Sequence, residues 1–531
     1  MFLRRILIWF SVLVLVAGEQ AMTSRVATVA FQGIEAVAVD VQAQFISGQV
    51  QFNVVGLPDK AIAESRERVR AALYAIGLGL PGKRLVVNLS PADLPKEGSH
   101  FDLPIALAIL SALGVMPPDF LDRYVVMGEL ALDGSLMAVA GALPAAISAN
   151  GRGLGLICPK ASGAEAAWGG EEIDILAPEN LIQLINHVKG TQVLSAPKPS
   201  LAPEVGILPD LRDIKGQESG KRALEVAAAG GHHMLMVGPP GAGKSMLAQR
   251  MASILPPMDP REMLDVSMVA SLGGELKDGK LSQRRPFRAP HHSASMPALV
   301  GGGLKAKPGE MALAHHGVLF LDELPEFQPR VLESLRQPLE TGETVVARAN
   351  YHVTYPARFQ LIAAMNPCKC GMAGAPGHTC RKGPRCASDY QQRISGPLLD
   401  RMDIQIELPA VRISDLTLPA PKESSADVAL RVAAARLRQR DRFIKLGVAH
   451  LRLNSQADGS LLEEIVQPDQ AGLKLMRDAA DAMGLSARGY HRVLRVARTL
   501  ADLDGRDQVS RLHIAEALSY RQKLAAFQIA A

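Results

Sequence analysis

The chain has 531 residues, more than one hydrophobic core usually serves, so two or three domains are expected. Hydrophobic residues make up 48% and charged residues 21%, a balance that excludes an intrinsically disordered chain. The formal charge of +5 is small for this length and permits nucleic-acid binding without arguing for it. Four of the five cysteines fall between Cys368 and Cys386, which excludes a disulfide scaffold and points to a metal site or redox pair in a reducing compartment.

Along the chain, Arg4 and Arg5 precede an apolar run over residues 6–18, too short for a membrane span of roughly 20 residues. It reads like a signal segment, yet Met22 opens a well-patterned strand and makes a natural start. Residues 1–21 are therefore expected to be an upstream extension outside the fold, with a membrane tether as the alternative. The block 22–190 alternates strand-like runs, such as 34–41 and 85–89, with apolar helices such as 102–113. A linker follows at 191–209, where four prolines lie between Ser195 and Pro209. The block 210–415 alternates strands with helices, the pattern of a mainly parallel sheet. After a second break, residues 426–531 carry Ala, Leu and Arg at helical spacing and predict a helical bundle. The fold class expected is α/β and multidomain.

An apolar strand over 233–237 leads into Gly238-Pro239-Pro240-Gly241-Ala242-Gly243-Lys244-Ser245, and a helix is expected through 246–254. Strand, glycine-rich loop and helix in this order form a phosphate-binding Walker A loop. The glycines let backbone N–H groups turn onto phosphates, and the helix N-terminus adds its dipole. Lys244 is expected on the β- and γ-phosphates of ATP, and the Ser245 hydroxyl on Mg²⁺. Downstream, residues 317–323 read GVLFLDE, a buried strand ending in two carboxylates. This Walker B arrangement assigns Asp322 to Mg²⁺ and Glu323 to polarising the attacking water.

Further motifs carry a resemblance to the AAA+ ATPases. The strand 359–365 followed by Asn366 resembles sensor 1, where a polar residue helps orient the water. The run from Arg393 to Asp403 (RISGPLLDRMD) resembles the arginine-finger segment of the magnesium-chelatase and MCM branch, implying that Arg401 reaches the γ-phosphate of a neighbouring subunit. The stretch 486–492 resembles the sensor 2 helix, with Arg488 as the contact and Arg492 as the alternative. Within the branch, residues 286–293 (PFRAPHHS), 299–303 (LVGGG), 336–340 (RQPLE) and 366–371 (NPCKCG) resemble the magnesium-chelatase-like YifB/ComM family across nearly all of 22–531. Lys369 stands where that family usually shows Pro. The resemblance implies an AAA+ P-loop α/β core, a C-terminal helical lid and a pore-facing or substrate role for His291 and His292, which as residues alone read equally well as ordinary loop polar groups.

Residues 95–102 and 128–134 give the first block a resemblance to the Lon-protease-like fold (ribosomal S5 domain 2-like). A Lon protease needs a serine activated by an unprotonated lysine. Those positions correspond to His100 and Leu143, and Ser99 lacks a lysine in register, so peptidase activity is not expected. Cys368, Cys370, Cys380 and Cys386 sit in a Gly- and Pro-rich loop and match four-thiolate zinc, with His378 able to replace one ligand. Lone Cys158 reads as a buried thiol. Five arginines over 431–442, with Arg381, Lys382 and Arg385, read either as a track for a phosphate backbone or as a solvated face. The family resemblance favours DNA and implies a hexameric, cytoplasmic helicase or branch-migration translocase of natural transformation and recombination, without stable membrane association. The alternatives are a magnesium-chelatase-type ATPase and a protein-remodelling ATPase.

Overall fold

Alternating apolar residues from Ser24 onward build a seven-stranded mixed sheet. Strands β1 (Ser24–Gln32) and β2 (Glu35–Ile46) form an antiparallel pair, β3 (Phe52–Val55) runs parallel to β4 (Arg84–Ser90), and β4 returns antiparallel to β2. Beyond β1 the sheet continues in parallel through β5 (Tyr124–Val126), and after a short hairpin of β6 (Glu129–Leu130) and β7 (Leu136–Met137) through β8 (Gly155–Ile157) and β9 (Ile175–Leu176). The order is β3-β4-β2-β1-β5-β8-β9. The computed structural model describes residues 23–203, 208–303, 306–347, 352–371, 385–417, 419 and 421–521. The apolar run at 6–18 lies outside them, and among the described residues no helix is long and apolar enough to cross a membrane.

The helix Asp102–Ala112 is apolar nearly all round and buried, as such a helix must be. Its one buried charge, Asp102, is fully served: Arg68 donates from Nε at 2.6 Å and Nη2 at 3.0 Å, Leu130 N donates at 3.2 Å, and the Ser65 hydroxyl donates as well. The compact unit built on this sheet takes in the described residues up to Ala202 and also Ser267–Leu281. Ser271 donates to the buried Glu165 carboxylate, which also accepts the Leu143 N–H at 3.0 Å, and Ala202 N–H bonds Leu281 O at 2.7 Å. Burial pushes the Glu165 carboxyl above its ordinary range.

The second unit, Pro203–Val266 with Ser282–Ala531, is organised on a five-stranded parallel sheet. Its strands are β10 (Met234–Val237), β11 (Phe287–Arg288), β14 (Val318–Leu321), β17 (Gln360–Met365) and β18 (Ile404–Glu407), in the order β11-β14-β17-β10-β18. Two small hairpins, β12 (Gly301–Gly302) with β13 (Lys307–Pro308) and β15 (Glu343–Ala347) with β16 (His352–Pro356), lie outside it. The central strands are buried on both faces, which explains their near-continuous apolar sequence. Met234, Met236, Phe320, Ile362 and Ala364 face one core, whereas Leu235, Val237, Leu319, Leu361 and Met365 face another.

The first of these cores continues into the helices Ser425–Lys445, Gly459–Val466, Gln470–Met483, Ala487–Leu503 and Arg511–Ser519. Ser424 and Asp427 close a capping box at the start of the longest helix. Its arginines are largely spent inside the fold. Arg431 pairs with Glu225 at 2.6 Å and Glu423 at 2.6 Å, Arg436 donates to Ala228 O at 2.6 Å, Arg438 to Gly505 O at 3.3 Å, and Arg442 to Asp502 at 3.1 Å. Four of the five thus hold partners within the fold, and Arg438 and Arg440 are exposed.

His233, just ahead of β10, accepts the Leu361 N–H on Nδ1 at 3.0 Å, and burial pushes its pKa from the ordinary 6.5 down to about 4. The folded ring stays neutral where the unfolded one takes a proton. Stability is therefore fully held above about pH 6.5 and is lost as pH falls towards 4. We expect the denaturant midpoint to fall across that window, and His233→Gln, which keeps an acceptor but cannot titrate, to flatten the fall.

Candidate functional site

Because β10, β14 and β17 run parallel, their carboxyl ends open at one edge of the sheet, where open α/β folds take ligands. The pairs Val237↔Met365 and Leu321↔Ala363 fix how far each strand reaches before its loop begins. The loop after β10 is anchored by Gly238 N–H on Met365 O at 3.2 Å. Position 238 has no room for a side chain, since a Cβ there would lie 2.5 Å from Leu408 O. Gly243 takes the left-handed conformation (φ 83°, ψ 13°) that turns the loop into the helix Lys244–Ile254, and the space beside it is open. Pro239, Pro240, Gly241 and Ala242 complete a loop wrapped over the first turn of that helix.

Lys244 folds back under the loop. Its Nζ donates to Gly238 O at 2.7 Å, Pro239 O at 3.0 Å and Asn366 Oδ1 at 3.0 Å. Burial lowers its pKa, while the nearby Asp322 and Glu323 charges oppose that shift. The neighbouring Ser245 hydroxyl donates to Asp322 Oδ2 at 2.5 Å, and Asp322 Oδ1 accepts the Glu323 N–H at 2.9 Å. A hydroxyl and a carboxylate side by side are hard oxygen donors of the kind Mg²⁺ takes. Glu323 sits at φ 51°, ψ 46°, a left-handed conformation costing a non-glycine residue about 1 kcal/mol. Its half-exposed carboxylate lies 3.3 Å from His292 Nδ1.

The structure thus brings Lys244, Ser245, Asp322, Glu323 and Asn366 to one edge. The two arginines anticipated from later motifs are elsewhere. Arg401 is buried, its guanidinium paired with Glu340 and donating to Pro397 O at 2.8 Å. Arg488 is exposed at the start of the helix Ala487–Leu503 and makes no hydrogen bond or ion pair among the described residues. Arg492 points to Asp403 Oδ1 at 2.6 Å and Arg401 O at 2.9 Å. His232 Nδ1 approaches the same carboxylate at 3.2 Å, and its Nε2 lies 2.8 Å from Thr499 Oγ1. These charges hold the fully buried Asp403 carboxyl far below its ordinary range despite the desolvation that opposes it. His232 and Thr499 carried no sequence signal, because His232 lies 171 residues from Asp403 and 267 residues from Thr499.

Cys368, Cys370 and Cys386 place their sulfurs within 4.8 Å of one another, with Cys368 and Cys370 Sγ 3.1 Å apart. Cys380, His378, Arg381 and Lys382 lie outside the described residues. In the first unit, His100 is buried with Nε2 2.9 Å from Val29 O, Leu143 is buried, and the Ser99 hydroxyl donates to Glu129. Cys158 is buried too, and desolvation raises its thiol pKa.

Three family models match: Magnesium chelatase, subunit ChlI, over residues 210–416; Subunit ChlI of Mg-chelatase over 41–162; and Magnesium chelatase, subunit ChlI C-terminal, over 422–521. The YifB protein of Escherichia coli is 42% identical over 499 residues, covering 94% of this chain and 97% of the relative. Competence protein ComM of Haemophilus influenzae is 41% identical over 500 residues, covering 93% and 96%. The magnesium-chelatase 38 kDa subunit of Rhodobacter capsulatus is 26% identical over 339 residues, covering 58% of this chain and 86% of the relative.

Lys244→Ala removes the ammonium that the loop holds in place. A charge-assisted contact to phosphate is worth roughly 1.5–3 kcal/mol, so two such contacts predict at least a hundredfold weaker affinity for ATP. Titration with a fluorescent ATP analogue checks this.

Proposed function

The chain belongs to the magnesium-chelatase-like family that includes YifB and ComM, and on that premise we propose an ATP-hydrolysing ring motor that translocates on DNA. The observation that carries the ATPase reading is the convergence of Lys244, Ser245, Asp322, Glu323 and Asn366 at one sheet edge. In this reading Lys244 gives up its loop carbonyls for the β- and γ-phosphates. Ser245 and Asp322 hold Mg²⁺, which when bound neutralises phosphate charge. Glu323 takes up the proton of the attacking water, and Asn366 orients that water. Arg401 of a neighbouring copy reaches the γ-phosphate, having exchanged its Glu340 partner for a more highly charged one. Arg488 contacts the nucleotide of its own subunit from the helical lid.

Hexameric assembly follows the ring architecture that the arginine finger requires. The DNA reading is supported by the name of the Haemophilus relative, since competence is the uptake of DNA. The first unit serves in this reading as a Lon-like domain for assembly or nucleic-acid contact. A magnesium-insertion role is the second reading, favoured by the family-model descriptions. Against it, the Rhodobacter subunit has counterparts for only 58% of this chain. Protein remodelling is the third.

The cysteine loop is proposed to hold structural zinc through Cys368, Cys370 and Cys386, with Cys380 as fourth ligand. Sulfurs this close can each reach one ion at about 2.3 Å, and thiolates suit zinc.

Steady-state ATP hydrolysis with and without forked DNA, across a salt series, tests the function. Stimulation that fades with added salt is expected, as counterion release dictates; robust hydrolysis without stimulation would favour the other two readings. Glu323→Gln is expected to bind ATP normally while kcat falls about a hundredfold or more. Normal hydrolysis by that variant would remove Glu323 from its role. Elemental analysis is expected to find one zinc per chain, lost in Cys386→Ser.

A further inference from the structure

Asn366 and Glu323 each lie just past the end of a strand, and each runs into a proline. Asn366 follows β17 and is bonded to Pro367, while Glu323 follows β14 and stands two residues before Pro325. Proline brings no N–H by which the chain could be anchored, and it restricts the backbone of the residue before it. Both prolines are buried, so each leaves a carbonyl that needs a donor.

The donors come from one short stretch. Gln391 ends the helix Arg385–Gln391 and is buried, and its Nε2 donates to Pro367 O at 2.9 Å. Two residues on, Arg393 Nη1 donates to Pro325 O at 3.1 Å and to Glu326 Oε2 at 3.3 Å. The stretch is itself fixed on both sides. Before it, Cys386 and Ala387 share a buried cluster with Cys368. After it, Ile394 and Leu398 enter the core that Leu321 and Ala363 face. The phosphate loop has its own anchor, Gly238 N–H on Met365 O at 3.2 Å.

We propose that Gln391 and Arg393 act together as a clamp of positioning residues that sets the separation of Asn366 from Glu323, and through it the rate of hydrolysis rather than the affinity for nucleotide. Sheet register does not set this separation alone, because both groups lie beyond the last paired residues of β14 and β17, Leu321 and Ala363. An attacking water must meet its base and its orienting amide at once, and a misplacement of about 1 Å can cost as much as roughly a hundredfold in rate. The clamp rests on the reading in which Glu323 and Asn366 handle that water.

The test measures Gln391→Met and Arg393→Met in the full chain, beside Glu323→Gln and Asn366→Ala. Each clamp variant is expected to lower kcat about tenfold, while affinity for a non-hydrolysable ATP analogue stays within about twofold of wild type. Binding stoichiometry in the same titration gives the folded fraction, by which kcat is corrected. Arg393→Lys keeps one donor group, as Nη1 makes both contacts, and is expected to restore most of the rate. Loss of either arm frees the same separation, so the double variant is expected to fall no further than the slower single one. Unchanged kcat in both clamp variants, or affinity that falls as far as kcat, overturns the clamp while Glu323→Gln and Asn366→Ala stay slow. Effects that multiply in the double variant overturn the joint action. Normal turnover by Glu323→Gln and Asn366→Ala would instead remove the reading beneath the clamp.

Discussion

Parallel register is the constraint on which the pocket depends. β10, β14 and β17 lie side by side with Val237 opposite Met365 and Leu321 opposite Ala363. Each strand is followed at once by a polar element: the Gly238 loop, the Asp322–Glu323 pair and Asn366. Sheet hydrogen bonds therefore set the spacing between groups that are remote in sequence, and a one-residue slip of β17 would send Asn366 away from Lys244. The apolar residues around them act on the same point. With Met236 facing one core and Val237 the other, neither strand face can turn to solvent, so register is strongly specified.

A second node joins the helical region to this sheet. Asp403 is buried at the start of β18, where an unpaired carboxylate would be costly. His232 comes from the segment before β10, and Arg492 from the helix Ala487–Leu503. Arg492 also holds the backbone carbonyl of Arg401. The helix Ala487–Leu503 is in this way bolted to the segment that carries Arg401. Removing either charged partner would strand the other in a dry site, which is why such pairs resist piecemeal change. Arg222 with Glu516, at 2.9 Å, and Arg431 with Glu225 repeat the arrangement at more exposed positions, where each contributes less.

What the sequence made legible was local. The phosphate loop, the strand ending in Asp322 and Glu323, and the strand before Asn366 are each contiguous, so spacing alone reveals them, and β17 begins only one residue later than expected. Partnerships across long separations were hidden. Nothing near Arg442 announces Asp502, and nothing near His292 announces Glu323. The same holds for Ser267–Leu281, which interrupt the sequence of the second unit yet pack in the first unit through Ser271 and Glu165. Composition along 267–281 gives no sign of this, because a buried serine hydrogen-bonded to a carboxylate looks like any polar residue until its partner is in place.

Arg401 shows how the two kinds of information combine. Its motif implies a finger for a neighbour's nucleotide, whereas the folded chain buries the guanidinium against Glu340. The two are compatible in energetic terms. The Glu340 side chain remains 54% exposed, so water screens the pair and weakens it relative to a contact with several phosphate oxygens in an enclosed interface. Held by Arg492 through its carbonyl, the Arg401 backbone need not move for the side chain to change partners. On the proposed reading, Glu340 keeps the charge satisfied in the isolated chain, and assembly replaces it with the phosphate that needs it.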